Sequence, residues 1–363
     1  MNQDLAENLL AKVLSWDNLK VKENVRMLED FAELKYDQYQ QYEAGSRFIE
    51  NLATWLDQFS SQEDKSIAFD FVKNALVFIS EEEMRHLIRS IYPDYIRPIL
   101  KKQAKNLCGE LSVHASEPET LVDMISRQSL YLGLSDGARL DVFRRSDSRI
   151  MHEQVCINYE IPEVKMKEIL KEMDEENKTF YEKNPQFIKY KNTLFGIYLL
   201  DDFSGSGISY LRYEEDRWKG KINKVIEQLD QLGQKSEIDL TKVPIHLILY
   251  IATDQAENNI LKNLESYNWQ KDLNIQIHIL QKIKRYDLNP QEKELFMRQY
   301  GPERPEIEDK HYRKGKHDEP YLGFDECSLP LIIYHNTPNN SFPILWGIRP
   351  ALFPRVTRHK EVN

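Results

Sequence analysis

Thr193-Leu-Phe-Gly-Ile-Tyr-Leu-Leu-Asp-Asp-Phe-Ser-Gly-Ser-Gly-Ile208 sets the fold. An apolar run, Leu194 to Leu200, leads into two adjacent acids, Asp201 and Asp202, and then into a loop of small residues, Ser204, Gly205, Ser206 and Gly207. Such a run bounded by Gly and Ser reads as a buried strand. Carboxylates at its end can accept hydrogen bonds from sugar hydroxyls. A Gly/Ser loop can turn bare N–H groups and hydroxyls towards a phosphate. The same residues also suit an ordinary strand-to-loop turn, where Asp, Ser and Gly are common.

On either side of this stretch, strand and helix patterns alternate. Gln128 to Leu134 reads as a short strand, Ser135-Asp-Gly-Ala138 as a turn, and Arg139 to Arg145 as the opening of a helix. Val155 to Tyr159 is a strand and Val164 to Lys178 a charged amphipathic helix. Lys221 to Leu232 carries Ile222, Val225, Ile226 and Leu229 on one helical face. Pro244 to Ala252 (strand), Gln255 to Leu264 (helix) and Ile275 to Leu280 (strand) continue the series. The alternation predicts an α/β fold, a parallel sheet flanked by helices. Ligands of such sheets bind at the carboxyl ends of the strands. The loops at 135 and at 201 both fall there.

Residues 1 to 105 read as a helical domain: Val25, Leu28, Phe31 and Leu34 recur at helical spacing, and Phe48, Ile49, Leu52, Trp55 and Leu56 continue an apolar face. Ser60 to Gln62 is a break, Ile67 to Ile79 a further helix, and Ser80-Glu-Glu-Glu a helix start with acids in its first turn. Pro93 and Pro98 punctuate the end of this region. The α/β core is expected over 106–285 and a C-terminal extension over 286–363. There Tyr300 to Pro320 reads as a solvated loop, Ser328 to Tyr334 as a strand, and His335 to Pro343 as a Pro/Asn-rich loop.

The chain has 363 residues, enough for roughly two domains. Its net charge of −10 argues against a general nucleic-acid-binding surface. Three widely spaced cysteines suggest neither a disulfide framework nor a zinc site. The acidic start lacks a signal-peptide layout, and the most apolar stretch, Val243 to Ala252, is too short to cross a bilayer. A cytoplasmic protein without membrane contact is the expectation.

The order strand, Asp201-Asp202, Phe203, Ser204-Gly205-Ser206-Gly207 resembles the 5-phosphoribosyl-1-pyrophosphate (PRPP) motif of type I phosphoribosyltransferases. Gly205 departs from it, standing where that family usually has a hydroxyl residue. The resemblance implies that Asp201 and Asp202 are catalytic acids that hold the ribose, and that Ser204, Gly205, Ser206 and Gly207 hold the 5′-phosphate. It makes Ser135, Asp136, Gly137, Ala138 and Arg139 a pyrophosphate loop. Mg²⁺ would arrive on the pyrophosphate, with no metal ligands assigned to the protein. The chemistry implied is displacement at the ribose anomeric carbon, helped by orientation and electrostatics. Arg139, Arg144 and Arg145 are candidates for stabilising the leaving group, and 146–153 is a candidate mobile loop. The variable hood of these enzymes would fall in the C-terminal region, where His335, Asn336, Asn339 and Asn340 offer donors and acceptors.

Four segments taken together narrow the likeness: Phe78 to Met84, Leu132 to Ala138, Leu199 to Gly207 and Tyr334 to Trp346. They are similar to a bacterial group of phosphoribosyltransferase-like proteins of conflict and phage-defence systems, some at retron loci. That resemblance implies an effector role beside other defence proteins, including a reverse transcriptase with its nucleic acid. The ligand class is PRPP, a nucleotide or a nucleoside. Three readings stay open: a transferase or glycosidic-bond-cleaving enzyme, a non-catalytic PRPP or nucleotide sensor, and an interaction protein working through its N-terminal helices. A homo-oligomer is compatible with each.

Overall fold

The computed structural model describes residues 3–110, 118–191, 193–236, 239, 242–302, 318–347 and 350–355. The chain divides into two compact units, Met84–Ile283 and a second made of Met1–Glu83 with Lys284–Asn363. Helices expected to belong with the N-terminal region therefore fold with the sheet. Composition gave no sign of this, because Pro93 and Pro98 do not stop the helical path. Pro93 lies in a π-helical turn, Ile91–Ile96, and Pro98 follows it, within a helical path that runs unbroken from Glu81 to Glu110.

Met84–Ile283 holds a five-stranded sheet. Its strands are β1 (Ser129–Gly133), β2 (Val155–Cys156), β3 (Gly196–Ser204), β4 (Ile245–Thr253) and β5 (Ile275–Ile283). They lie in the order β2-β1-β3-β4-β5, all parallel. The fold is α/β, as its alternating sequence pattern implied. Leu132, Leu199 and Leu247 share one register row, and with Leu130, Ile197 and Leu249 they face a helical layer. Met166 and Ile169 come from the helix Glu163–Glu176, Val225 and Leu229 from Lys221–Ser236, and Ile260 and Leu264 from Asp254–Lys271.

The other face carries a row of rings across four strands. Tyr131 stacks on Tyr198 (5.4 Å between centroids), Tyr198 on His246 (5.1 Å), and His246 meets His278, with Nδ1 3.0 Å from the His278 Nε2. Burial, with His278 alongside, holds His246 down to about 4. The unfolded chain takes up a proton near pH 6.5 while the folded protein refuses it until about pH 4. Stability is therefore full above pH 6.5 and falls as the pH drops through that window, by at most about 3 kcal/mol for this residue. His246→Phe keeps the stacking ring. Its urea-unfolding free energy should decline less than wild type between pH 6.5 and 4; parallel declines would refute the assignment.

In the second unit Val77–Ile79 pairs in parallel with Leu331–Ile333. The helix expected over Ile67 to Ile79 ends at Ala75, and its last residues are this strand. Ser80 and Glu83 form a reciprocal cap: the Glu83 N–H donates to Ser80 Oγ (3.2 Å) and the Ser80 N–H to the Glu83 carboxylate (2.8 Å). Tyr36, Phe48, Phe78 and Phe353 form an aromatic core. Most of the expected 300–320 loop, 303–317, lies outside the described residues.

Candidate functional site

In the order β2-β1-β3-β4-β5 the chain changes direction between β1 and β3. A sheet of this kind opens a crevice at that switch point, beyond the strands' carboxyl ends. The β1 loop and the Asp201–Gly207 segment meet there. The Leu134 N–H donates to the Leu200 carbonyl (3.0 Å), and Ser135 reaches both acids, donating to Asp201 and lying 3.3 Å from Asp202 Oδ1. Gly137 packs so closely on the Asp202 carboxylate that a Cβ would sit 2.2 Å from Oδ2. Only glycine allows this contact.

The two acids are not equivalent. β3 runs straight through them to Ser204, and a strand sends successive side chains to opposite faces. Asp201 is 0% exposed, whereas Asp202 is half-buried with part of its surface open. Asp201 accepts from Ser135, from Lys221 Nζ (2.5 Å) and from the Asp202 N–H (3.2 Å). The Tyr210 hydroxyl lies 2.5 Å from Asp201 Oδ2 and 3.0 Å from the Phe203 carbonyl. Burial pushes the Asp201 carboxyl up, and the Lys221 ammonium pulls the other way. Burial also drives the Tyr210 phenol well above its usual range, aided by the neighbouring Asp201 charge.

The Ser204–Gly207 loop is recessed, and its carbonyls are tied down. Thr253, the N-cap of the helix Asp254–Lys271, donates to the Gly205 carbonyl (2.5 Å) and accepts from the Ala256 N–H (2.9 Å). Asn259 donates to the Ser206 carbonyl (2.8 Å) and the Tyr210 N–H to that of Gly207 (3.0 Å). The Gly205 N–H continues the ladder towards Ala252, and among the described residues no acceptor meets the N–H groups of Ser206 or Gly207. The Ser204 hydroxyl, in a residue 3% exposed, is likewise without a partner there. Gly207 has φ +76°, a left-handed conformation that glycine adopts without strain. Consecutive N–H groups with their carbonyls held away form an anion nest.

In the β1 loop the Ala138 and Arg139 N–H groups bond back to Ser135 and Asp136, and Tyr250 donates to the Ala138 carbonyl (2.6 Å). Arg139 sits at φ +47°, a strained setting for a non-glycine residue, and pairs with Asp141 (3.1 Å). Segment 146–153 is anchored: Arg149 pairs with Asp147 (2.6 Å) and lies over the Tyr92 ring, and Gln154 beyond it donates to the Ser126, Arg127 and Ser129 carbonyls. His335, Asn336, Asn339 and Asn340 belong to the other unit. There the His335 carbonyl accepts from Gln41, the Asn339 carbonyl from the Phe324 N–H, and Asn340 donates to the Phe324 carbonyl.

Tyr210, Lys221, Thr253, Asn259 and Tyr250 escaped the sequence analysis. Lys221 left a trace: it opens a helix whose first turn holds no acid, where a cation opposes the helix dipole. Among the described residues no group of three or more His, Cys, Asp or Glu could hold a metal, and no helix is long and apolar enough to cross a membrane.

A parallel sheet of this order, with an acid pair and a small-residue loop at its switch point, is the architecture of a phosphoribosyltransferase-like protein. The chain belongs to the PRTase-CE family, whose model matches residues 52–355 and so runs through both units. No curated protein and no solved structure matches it.

Proposed function

We propose that the protein binds a phosphorylated ribose, PRPP or a related nucleotide, and acts at its anomeric carbon. Family membership supports the phosphoribosyltransferase type of function. The observation that carries the ligand assignment is the nest at Gly205–Ser206–Gly207: its carbonyls are held from behind, while the Ser206 and Gly207 N–H groups and the Ser204 hydroxyl are left for an anion. In this reading the nest takes the 5′-phosphate and Asp202 accepts from the ribose hydroxyls. Asp201 does not touch substrate; it positions Asp202. As pyrophosphate leaves with its Mg²⁺, positive charge grows on the ribose, and the Asp202 carboxylate stabilises it. The β1 loop, with Asp136, Gly137 and Arg139, would face the pyrophosphate. The motif resemblance supports a further proposal, an effector role in bacterial antiphage defence beside partner proteins.

A second reading, a binder without turnover, is favoured by the anchoring of 146–153, which leaves the mobile catalytic loop unassigned. Metabolite profiling of cells expressing wild type or Asp202→Asn separates the two. Wild type should deplete PRPP or a nucleotide pool, and the variant should be at least about 100-fold slower, with unfolding free energy within about 0.5 kcal/mol of wild type. Equal depletion by both would remove Asp202 from the site. Calorimetric binding of PRPP with no pool consumed would select the second reading.

A further inference from the structure

Lys221 has no role in the motif that defines the acid pair, yet it touches the pair's buried member. Its ammonium lies 2.5 Å from Asp201 Oδ2 and 4.9 Å from the centroid of the Tyr210 ring, and its own N–H donates to the Ser209 carbonyl (3.0 Å). Both ends of the residue are fixed, and its side chain is 30% exposed beside an Asp201 that is 0% exposed. A cation at a helix start opposes the helix dipole, so the site and not the helix explains its place.

We propose that Lys221 is the positioning residue of the acid pair, holding Asp201 as a buried carboxylate so that Asp202 stays ionised and turned to the ligand. This rests on the ribose-binding reading of Asp202. The charged groups facing Asp201 are Asp202, Lys221 and the phenols of Tyr210 and Tyr250. Lys221 is the one cation among them, and a buried carboxylate without a cation takes a proton. The consequence follows through Ser135, whose hydroxyl donates to Asp201 and lies 3.3 Å from Asp202. If Asp201 gains a proton, its O–H donates to Ser135 Oγ. The Ser135 proton is then released to swing onto Asp202 Oδ1. No bond other than these hydrogen bonds changes, but Asp202 is now occupied by Ser135.

The test compares wild type, Lys221→Met and Lys221→Arg by two measurements. The first is urea unfolding against pH, without ligand. A protonated Asp201 in the folded Met variant has its pKa raised above the unfolded value, so that variant should lose stability relative to wild type as the pH rises from 5 to 8. The Arg variant should track wild type. The second is calorimetric titration with PRPP and Mg²⁺. The Met variant should bind at least tenfold more weakly at pH 6.5 and regain affinity towards pH 9, and the Arg variant should bind within about threefold of wild type. A Met variant with the wild-type pH dependence of stability overturns the inference. So does a Met variant that binds PRPP weakly but equally at every pH. Wild type failing to bind PRPP while the stability difference appears would count against the ribose-binding reading, and leave the Lys221–Asp201 linkage standing.

Discussion

Replacing Asp201 by alanine is expected to lower the free energy of unfolding by about 3 kcal/mol, in a urea titration at pH 7. Breaking a buried ion pair from one side costs roughly 3–5 kcal/mol, because the partner charge and donors are left uncompensated. The lower end applies because the Lys221 side chain is 30% exposed and can turn to water. The loss would not be electrostatic alone. Asp201 joins the β1 loop through Ser135, the loop end through Tyr210 and the next helix through Lys221. The adjacent acid is the control: Asp202 has one face open, and Asp202→Asn should fall within the range of ordinary surface changes. Equal destabilisation by the two substitutions would contradict the division of roles between them.

Gly207→Ala is the second large effect expected. The glycine holds φ +76°, and a side chain there costs roughly 1–2 kcal/mol from conformation alone. The added Cβ would also stand 2.7 Å from the Ala256 carbonyl oxygen, a backbone atom in the first turn of the helix Asp254–Lys271. Loop and helix must part, and the Thr253 and Asn259 bonds that orient the nest go with them. A total near 3 kcal/mol is expected, with PRPP affinity reduced at least tenfold. Gly45→Ala isolates the conformational part: φ is +88°, but nothing lies within 4 Å of the new atom. If the two substitutions cost the same, the packing of the nest against the helix is not what holds it.

The three inner strands, Ser129–Gly133, Gly196–Ser204 and Ile245–Thr253, were legible because they are apolar runs, buried on both faces as the interior of a parallel sheet requires. The strand order was not legible; the rule that ligands gather at the carboxyl ends of strands was enough to group the loops at 135 and 201. Val77–Ile79 was hidden because its partner, Leu331–Ile333, is remote in the chain, and the apolar residues before it continue a helical period. The unit boundary was hidden for a like reason: helix content does not say what a helix packs on. The inequality of Asp201 and Asp202 was open to inspection. Adjacent residues of a strand send their side chains to opposite faces, so two neighbouring acids there should differ in burial. The donors to the loop carbonyls, Thr253 and Asn259, come from the following βα unit, and no local pattern ties them to Gly205 and Ser206.

The most direct measurement is a crystal structure of the protein with PRPP and Mg²⁺. The phosphate of its 5′ end should lie within hydrogen-bond distance of the Ser206 and Gly207 N–H groups, with a ribose hydroxyl on Asp202 and Asp201 still paired to Lys221. PRPP bound elsewhere, or the nest closed by protein atoms with the ligand present at saturating concentration, would contradict the assignment.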